Sequence, residues 1–594
     1  MNDSTQNNRA DRIIANQSGP QYANEGNVYA NTGNGSQTNA SGHANVNSGG
    51  GSGNTFVSGS AGDIATGGSK IVKRKFRFSP LLLLGHAAKA HPVASVVITL
   101  VVGAGAVSGG YVLTHAKGTT PKAGLSAVAP AAKATTPAST QTVAPIPVPQ
   151  STDTGWPQLG GGPGRTGYQP GETRIGSADV TKLALKRTYQ PAAGDEGVSA
   201  PLIANGILYV DSGGQLDAFD STGATGCVDI PTTCTPLWTA PSGSVDGITV
   251  ADGKIFVTDD EGIQAYAAAG TTNCSGTPKI CKPLWATSIN AATGLGFMPG
   301  EGAPVVADGV LYVPGYGDGM IPSQGGAYVA AFDPAGSADC SGTPVVCHPM
   351  WTTTGAPGGA GNSNSPTIAN GVIYIPQGST LYAFDATESA DCSGTPKTCP
   401  PLWTAAMSSG SSTAAVVANG IVYVGTNYSG LYAFGASGTT NCSTVTTAKT
   451  CQPLWTAAVN ANALAVANGV VYAATNGELD ALDAAVPANC PGTGAIKTCS
   501  ISPLWTSAGS TYVDSGPWLT VANGVVYVTT SGGGIDAYDA AGSLNNCSVS
   551  GTAKTCTPLW NDVVGYTSGG SSAIVNGVLY VSAPGNGDVY ALSS

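Results

Sequence analysis

The stretch Ala369-Asn370-Gly371-Val372-Ile373-Tyr374-Ile375, followed by Leu381-Tyr382-Ala383-Phe384-Asp385, the pair Cys392 and Cys399, and Pro401-Leu402-Trp403, decides the fold. Asn-Gly accepts positive φ at both central positions of a type I′ turn, so the apolar runs on either side of it read as a hairpin. The Tyr-Ala-Phe run and the Trp run each add a strand. One unit is therefore four strands, with a cysteine-bracketed insert between the third and the fourth.

The same turn recurs at Asn205-Gly206, Asp252-Gly253, Asp308-Gly309, Asn419-Gly420, Asn468-Gly469, Asn523-Gly524 and Asn576-Gly577, at spacings of 47 to 62 residues. Trp238, Trp285, Trp351, Trp455, Trp505 and Trp560 mark the other fourth strands. Four-stranded units of this period are propeller blades. The eighth unit runs only to Val589-Tyr590-Ala591-Leu592, while Leu183–Tyr189 sits ahead of the first unit where a Trp strand belongs. The expectation is an all-β, eight-bladed β-propeller over 156–594, with an N-terminal strand closing the last blade and leaving no open edge there.

All 14 cysteines fall past residue 226, in the local pairs Cys227/Cys234, Cys274/Cys281, Cys340/Cys347, Cys392/Cys399, Cys442/Cys451, Cys490/Cys499 and Cys547/Cys556. Seven like-spaced pairs read as disulfides of an oxidising compartment, each fastening an insert loop. Zinc is disfavoured, since the gaps are long and His348 is the only histidine in the region.

The first 150 residues carry 11 basic and 4 acidic side chains, and the remainder 12 and 30. The net charge of −11 excludes a generally nucleic-acid-binding surface. Residues 1–69, rich in Gly, Asn and Ser, read as a disordered tail, and 70–91 as a basic juxtamembrane segment. The uncharged run 92–113 is long enough, at 1.5 Å per residue, to cross a hydrocarbon core of about 30 Å. The basic flank keeps the N-terminus in the cytoplasm, and 114–155 is an Ala/Pro/Thr-rich stalk. The expectation is a single-pass protein of the cell membrane with an extracytoplasmic propeller.

The tyrosine strand, the Ala-Phe-Asp, the glycine three residues on (Asp220 to Gly223, Asp539 to Gly542) and the blade-closing Trp resemble the quinoprotein-type (PQQ-like) propeller repeat. The lead-in Trp156-Pro-Gln-Leu-Gly160-Gly-Gly-Pro163-Gly164-Arg165-Thr166-Gly167-Tyr168 is similar to one common in that family. The sequence departs from the pattern at Ala267 and Gly435, where the signature Asp is absent, and in delaying the Trp with the cysteine insert. The resemblance spans enzymes and non-catalytic members, among them the bacterial outer-membrane assembly lipoprotein, so it fixes fold rather than function. The enzyme alternative, a PQQ-dependent dehydrogenase, implies PQQ with calcium and often two adjacent cysteines; no Cys-Cys pair occurs here. The reading is a non-catalytic scaffold that binds envelope or secreted proteins or cell-wall material, with an extracytoplasmic ligand sensor as a third alternative. No cofactor, catalytic residue or metal ligand is assigned.

Strand alternation puts the Asn-Gly turns and cysteine inserts on one face. The other face gathers Asp195, Glu196, Asp246, Asp259, Asp260, Glu261, Glu301 and Asp318, the candidate ligand-binding residues. Lys279, Lys282, Lys397, Lys449, Lys497 and Lys554 lie on the cysteine side.

Overall fold

The computed structural model describes residues 155–594 except 193–196, 229–231, 244, 260–261, 289–296, 300–301, 318–326, 355–364, 390, 395–396, 412, 427–429, 446–447, 488–498, 509–510, 513–518, 531–532 and 566–569, and before these only strands between 21 and 58. The chain divides into two compact units, Met1–Ala134 and Thr135–Ser594. In the first, Gln21–Tyr22, Val28–Thr32, Ser36–Ser41, His43–Val46 and Thr55–Ser58 form an antiparallel meander. That departs from the expectation of disorder over 1–69. Composition averages away the β-branched and aromatic residues (Val28, Tyr29, Thr38, Phe56, Val57) that supply local strand propensity. The segments 70–91 and 92–113 lie outside the described residues, as does 114–154. Among the described residues no helix is long and apolar enough to cross a membrane.

The second unit is a ring of eight sheets. Blade 4 shows the plan: Thr367–Ala369, Val372–Gln377, Thr380–Asp385 and Pro401–Ala406 pair antiparallel from the axis outward. Asn370, with φ 52°, and Gly371, with φ 72°, make the expected turn. Blades 1, 2 and 3 have Trp238–Pro241, Trp285–Ser288 and Trp351–Thr353 as fourth strands. Blades 5, 6 and 7 have Trp455–Ala457, Trp505–Ser507 and Trp560–Val563. Blade 8 combines Ser572–Val575, Val578–Ala583 and Asp588–Ser593 with Ala184–Tyr189, which pairs antiparallel to Asp588–Ser593. The N-terminal strand closes the ring.

The cysteine inserts do more than decorate their own unit. Each crosses to the preceding blade and adds a parallel strand outside its fourth strand. Thr404 and Ala405 of blade 4 pair with Thr450 and Cys451 from the unit of blade 5. Arg187, Thr188 and Tyr189 of blade 8 pair with Thr232, Thr233 and Cys234 from the unit of blade 1. Six of the seven expected disulfides are described, each joining cysteines with Cα atoms 3.9 to 4.2 Å apart. Cys490 lies outside the described residues, and Cys499 is disulfide-bonded.

These pairings match the expectation, and the two cysteines of a pair differ in their surroundings. The second cysteine of every pair is buried. Cys281 joins the core around Trp238 of blade 1, and Cys347 the core around Trp285 of blade 2. Cys234, Cys399, Cys451, Cys499 and Cys556 are buried likewise. The cause is the crossing: the strand that ends in the second cysteine is the one laid against the preceding blade. The described first cysteines, such as Cys274 and Cys340, sit on the outer strand of the hairpin and are only half-buried.

Neighbouring blades are stitched by one repeated hydrogen bond. The second-strand tyrosine donates to the carbonyl just past the signature position of the next blade. Tyr209 donates to Ala268 at 2.9 Å, Tyr374 to Ala436 at 2.9 Å and Tyr472 to Ala540 at 3.0 Å. Burial pushes each of these phenols well above its ordinary pKa, so each stays a donor. Blade 2 has Phe256 at this position. The Trp rings fill the same seams: a Cβ on Gly438, at φ +63°, would stand 2.2 Å from Trp403 Cδ1, so only glycine fits there.

The inner edges are closed differently. The lead-in follows the ring, meeting the blades in order. Trp156 N–H donates to Ile203 of blade 1 at 2.7 Å, and Val250 of blade 2 donates to Pro157 at 2.9 Å. Val306 of blade 3 exchanges bonds with the Gln158 side chain. Ile368, Val417, Val466 and Val521 of blades 4 to 7 donate to Pro163, Gly164, Thr166 and Gly167. Gly577 of blade 8 donates to Glu172 Oε2 at 2.7 Å. A Cβ on Gly167 would come within 2.5 Å of the Leu519 carbonyl, so the glycine permits the close approach. Arg165, fully buried, pins the arc by donating to the carbonyls of Pro366 at 2.8 Å and Ala303 at 3.0 Å.

Candidate functional site: the acidic loop face

The second and third strands of each blade are joined on the face opposite the Asn-Gly turns, and the chain leaves the fourth strand on that same face. In blade 1, Ser242 N–H donates to Gly214 at 2.9 Å, tying the two loops together. Of the eight residues expected on this face, Asp195, Glu196, Asp260, Glu261, Glu301 and Asp318 lie outside the described residues. Asp246 falls within the strand Val245–Ala251, the first of blade 2. Asp259 ends the strand Lys254–Asp259 and is only 2% exposed, a buried carboxylate rather than a solvated one.

Its burial is compensated by hydrogen bonds, as a buried carboxylate requires. Asp259 Oδ1 accepts from Gly262 N–H at 2.8 Å and Oδ2 from Gln264 Nε2 at 2.8 Å. The Tyr266 hydroxyl lies 2.5 Å from both Gln264 Oε1 and the Pro241 carbonyl, linking blade 2 to the exit of blade 1.

Two further carboxylates belong to this junction, and the sequence reading missed them. Asp211 lies near the end of the second strand of blade 1 and accepts from the Ser242 hydroxyl. Asp217, in the third strand, accepts from Ala192 N–H at 3.0 Å and Gln215 Nε2 at 3.0 Å. Burial pushes the Asp211 carboxyl up to about 7, with Asp217 and Asp259 adding to the rise against the Ser242 bond. Burial likewise raises Asp217 to about 6, opposed by its two hydrogen bonds. These groups exchange protons close to neutrality. A signal for Asp211 was present: the other blades carry Thr258, Pro314, Pro376, Gly425, Ala474, Thr529 and Ser582 at that repeat position.

The other aspartates of the repeat are structural. Asp333, at the signature position, accepts from the amides of Ala335, Ser337 and Ala338 at 2.7 to 2.9 Å. Partial burial works against it, but these bonds prevail and hold its carboxyl down at about 2. Lys397 pairs with Glu388 at 3.0 Å, and Lys279 donates to the Gly270 carbonyl at 3.1 Å, so part of the lysine side is engaged locally. His348 is an exposed residue of the hairpin on blade 2. Among the described residues no group of three or more His, Cys, Asp or Glu is placed to hold a metal ion. The described cysteines sit in outer-edge hairpins, away from the axis and never adjacent in sequence.

No protein-family model matches the chain, and no curated protein matches it. Solved structures similar to it include the quinohemoprotein alcohol dehydrogenase from Comamonas testosteroni, at 15% identity over 74% of this chain and 80% of that one, with a TM-score of 0.48. A europium-containing methanol dehydrogenase matches at 12% identity over 74% of this chain and 98% of that one, TM-score 0.48. BamB from Moraxella catarrhalis matches at 12% identity over 69% and 98%, TM-score 0.43. These neighbours are PQQ-like propellers, dehydrogenases and BamB alike. The likeness concerns architecture and selects no activity. The count of eight blades rests on this chain's own strand pairing.

Proposed function

We propose that the propeller is a non-catalytic scaffold of the cell envelope that binds other proteins or cell-wall material, held by a membrane span at 92–113 with the propeller outside. One observation carries the reading: the chain's own lead-in is hydrogen-bonded in turn to the innermost strands of the ring, so on the Asn-Gly side the axis is lined by backbone serving structure. The ring then offers its rim and its loop face for binding. The disulfides suit an oxidising compartment and support the outward placement. The acidic residues Asp195, Glu196, Asp246, Asp260, Glu261, Glu301 and Asp318 are the candidate contacts of the loop face, whereas Asp211, Asp217 and Asp259 are buried and bonded within the protein.

The decisive experiment adds PQQ and calcium to the purified protein and follows absorbance, heat of binding and dye-linked alcohol oxidation. The scaffold reading expects no turnover; stoichiometric quinone binding with turnover replaces it by the dehydrogenase. Protease added to intact cells should remove the propeller, and its protection would reverse the topology.

A further inference from the structure

Among the described residues, every blade but one has an added strand outside its fourth strand. The sheet of blade 7 ends on Trp560–Val563. Its Trp560 is half-buried, whereas the other six fourth-strand tryptophans are at most 3% exposed. Val563 is 76% exposed. On covered blades, amides one and three residues past the Trp point outward to the hairpin. Thr239 donates to Lys279 at 2.9 Å, Thr354 to Cys399 at 2.8 Å and Ala508 to Cys556 at 2.7 Å. On blade 7 the amides at those places belong to Asn561 and Val563, and Val563 N–H is capped by Asp562 Oδ1 at 2.8 Å. Covered blades carry Ala240, Thr287, Thr353, Ala405, Ala457 or Ser507 where Asp562 stands.

The same blade shows a second opening. Tyr527 is buried with no partner for its hydroxyl, at the position where six other tyrosines bond to the next blade. The segment that supplies that acceptor elsewhere is the one that leads into the covering hairpin. Both gaps therefore fall on one seam.

We propose that the outer edge of blade 7 is a docking edge for another protein, which adds a parallel extended strand carrying a lysine. The hairpins on blades 3, 4 and 6 define the register, with Lys397, Thr398 and Cys399 opposite Trp351, Thr352 and Thr353 on blade 3, while on blade 5 Cys499 itself faces Trp455. In the same register on blade 7, the incoming lysine falls opposite Trp560, on the same face as Asp562 and diagonal to it. Ring and carboxylate then both attract the cation. A small residue faces Asp562, and a partner carbonyl replaces the carboxylate at the Val563 amide, releasing Asp562 to pair with the lysine. Strand addition to an open sheet edge gains main-chain hydrogen bonds, and the acid supplies the selectivity.

The test uses the intact protein and a disulfide-closed synthetic peptide of residues 546–557, the hairpin that blade 6 already accepts. Calorimetry should show saturable 1:1 binding. Asn561→Pro removes an outward amide on an edge strand, where proline is tolerated, and should weaken binding at least tenfold with an unchanged melting temperature. Asp562→Lys should weaken it similarly, and a peptide carrying Lys554→Glu should restore it. No binding to the wild-type protein, or equal binding by Asn561→Pro, overturns the proposal. Concentration-dependent dimerisation that Asn561→Pro abolishes also overturns it, by assigning the edge to a second copy. The peptide readout is separate from the quinone titration, so either reading can fail alone.

Discussion

The inner and outer edges of the blades pose the same problem and receive opposite solutions. At the axis, one continuous irregular segment, Trp156–Tyr168, serves seven blades with a bond or an exchanged pair each. At the rim, separate disulfide-closed hairpins serve one blade apiece. The inner closure is shared and single, so damage to it should be felt by the whole ring. The outer closure is divided and repeated, so damage to it should stay local.

The sharpest break of that contrast is Arg165→Ala. It leaves the carbonyls of Pro366 and Ala303 without their buried donor, at a cost of about 3–5 kcal/mol. Urea unfolding should show the loss as a single cooperative shift. Replacing Cys442 and Cys451 together by serine should cost less, about 2–3 kcal/mol from chain entropy. Hydrogen exchange should then quicken in Pro401–Ala406, the strand that this hairpin covers, and leave distant blades unchanged.

A third test separates the buried acids from both edges. Burial raises the Asp480 carboxyl to about 7, helped by Glu478. A folded pKa above the unfolded value means that the folded protein keeps a proton the unfolded chain releases. The resulting stability is full below about pH 4 and is lost as pH rises through about 7. Asp480→Asn should lessen that decline and stabilise the ring at pH 8 by on the order of 2 kcal/mol, read as a melting temperature that falls less steeply from pH 5 to 8 than the wild type's, the remaining fall belonging to Asp211 and Asp217. The smallest effect is expected at the seams. Tyr374→Phe should cost about 1 kcal/mol through its bond to Ala436. Tyr527→Phe, which removes an unpartnered buried hydroxyl, should cost nothing or stabilise slightly.

What the sequence discloses follows the same division. Anything used seven or eight times is visible as a period: the Asn-Gly turns, the tyrosine strand, the Trp strand and the cysteine pairs all emerge from one alignment of the chain with itself. The closing strand Ala184–Tyr189 is legible because its absence from the last unit leaves a gap of known shape. The path of the lead-in is not legible, since Gly160 to Gly167 serve once and have no second copy for comparison. Nor is the blade that each hairpin joins, because the order of segments along the chain is the same whether the insert folds home or crosses over. The burial of Cys281 and Cys347 is hidden for the same reason, as it follows from the crossing and not from the spacing of the pair. At the loop face, charge and topology found Asp259 as a candidate ligand-binding residue but did not disclose its burial. Its burial depends on Gln264 and Gly262, ordinary residues that become ligands of a carboxylate only when the strand ends beside them.

The crossing of the hairpins has a consequence for how the ring comes apart. Each stretch of chain from one Asn-Gly turn to the next lays its cysteine hairpin on the blade before it, so genetic unit and physical blade are out of phase, like overlapping roof tiles. Overlap of this kind has a direction. Excising one unit exposes the flank of its predecessor while sparing that of its successor. Coupling between blades is thus polar around the circle, and a repeat-by-repeat stability sum would here need nearest-neighbour terms that read differently clockwise and anticlockwise.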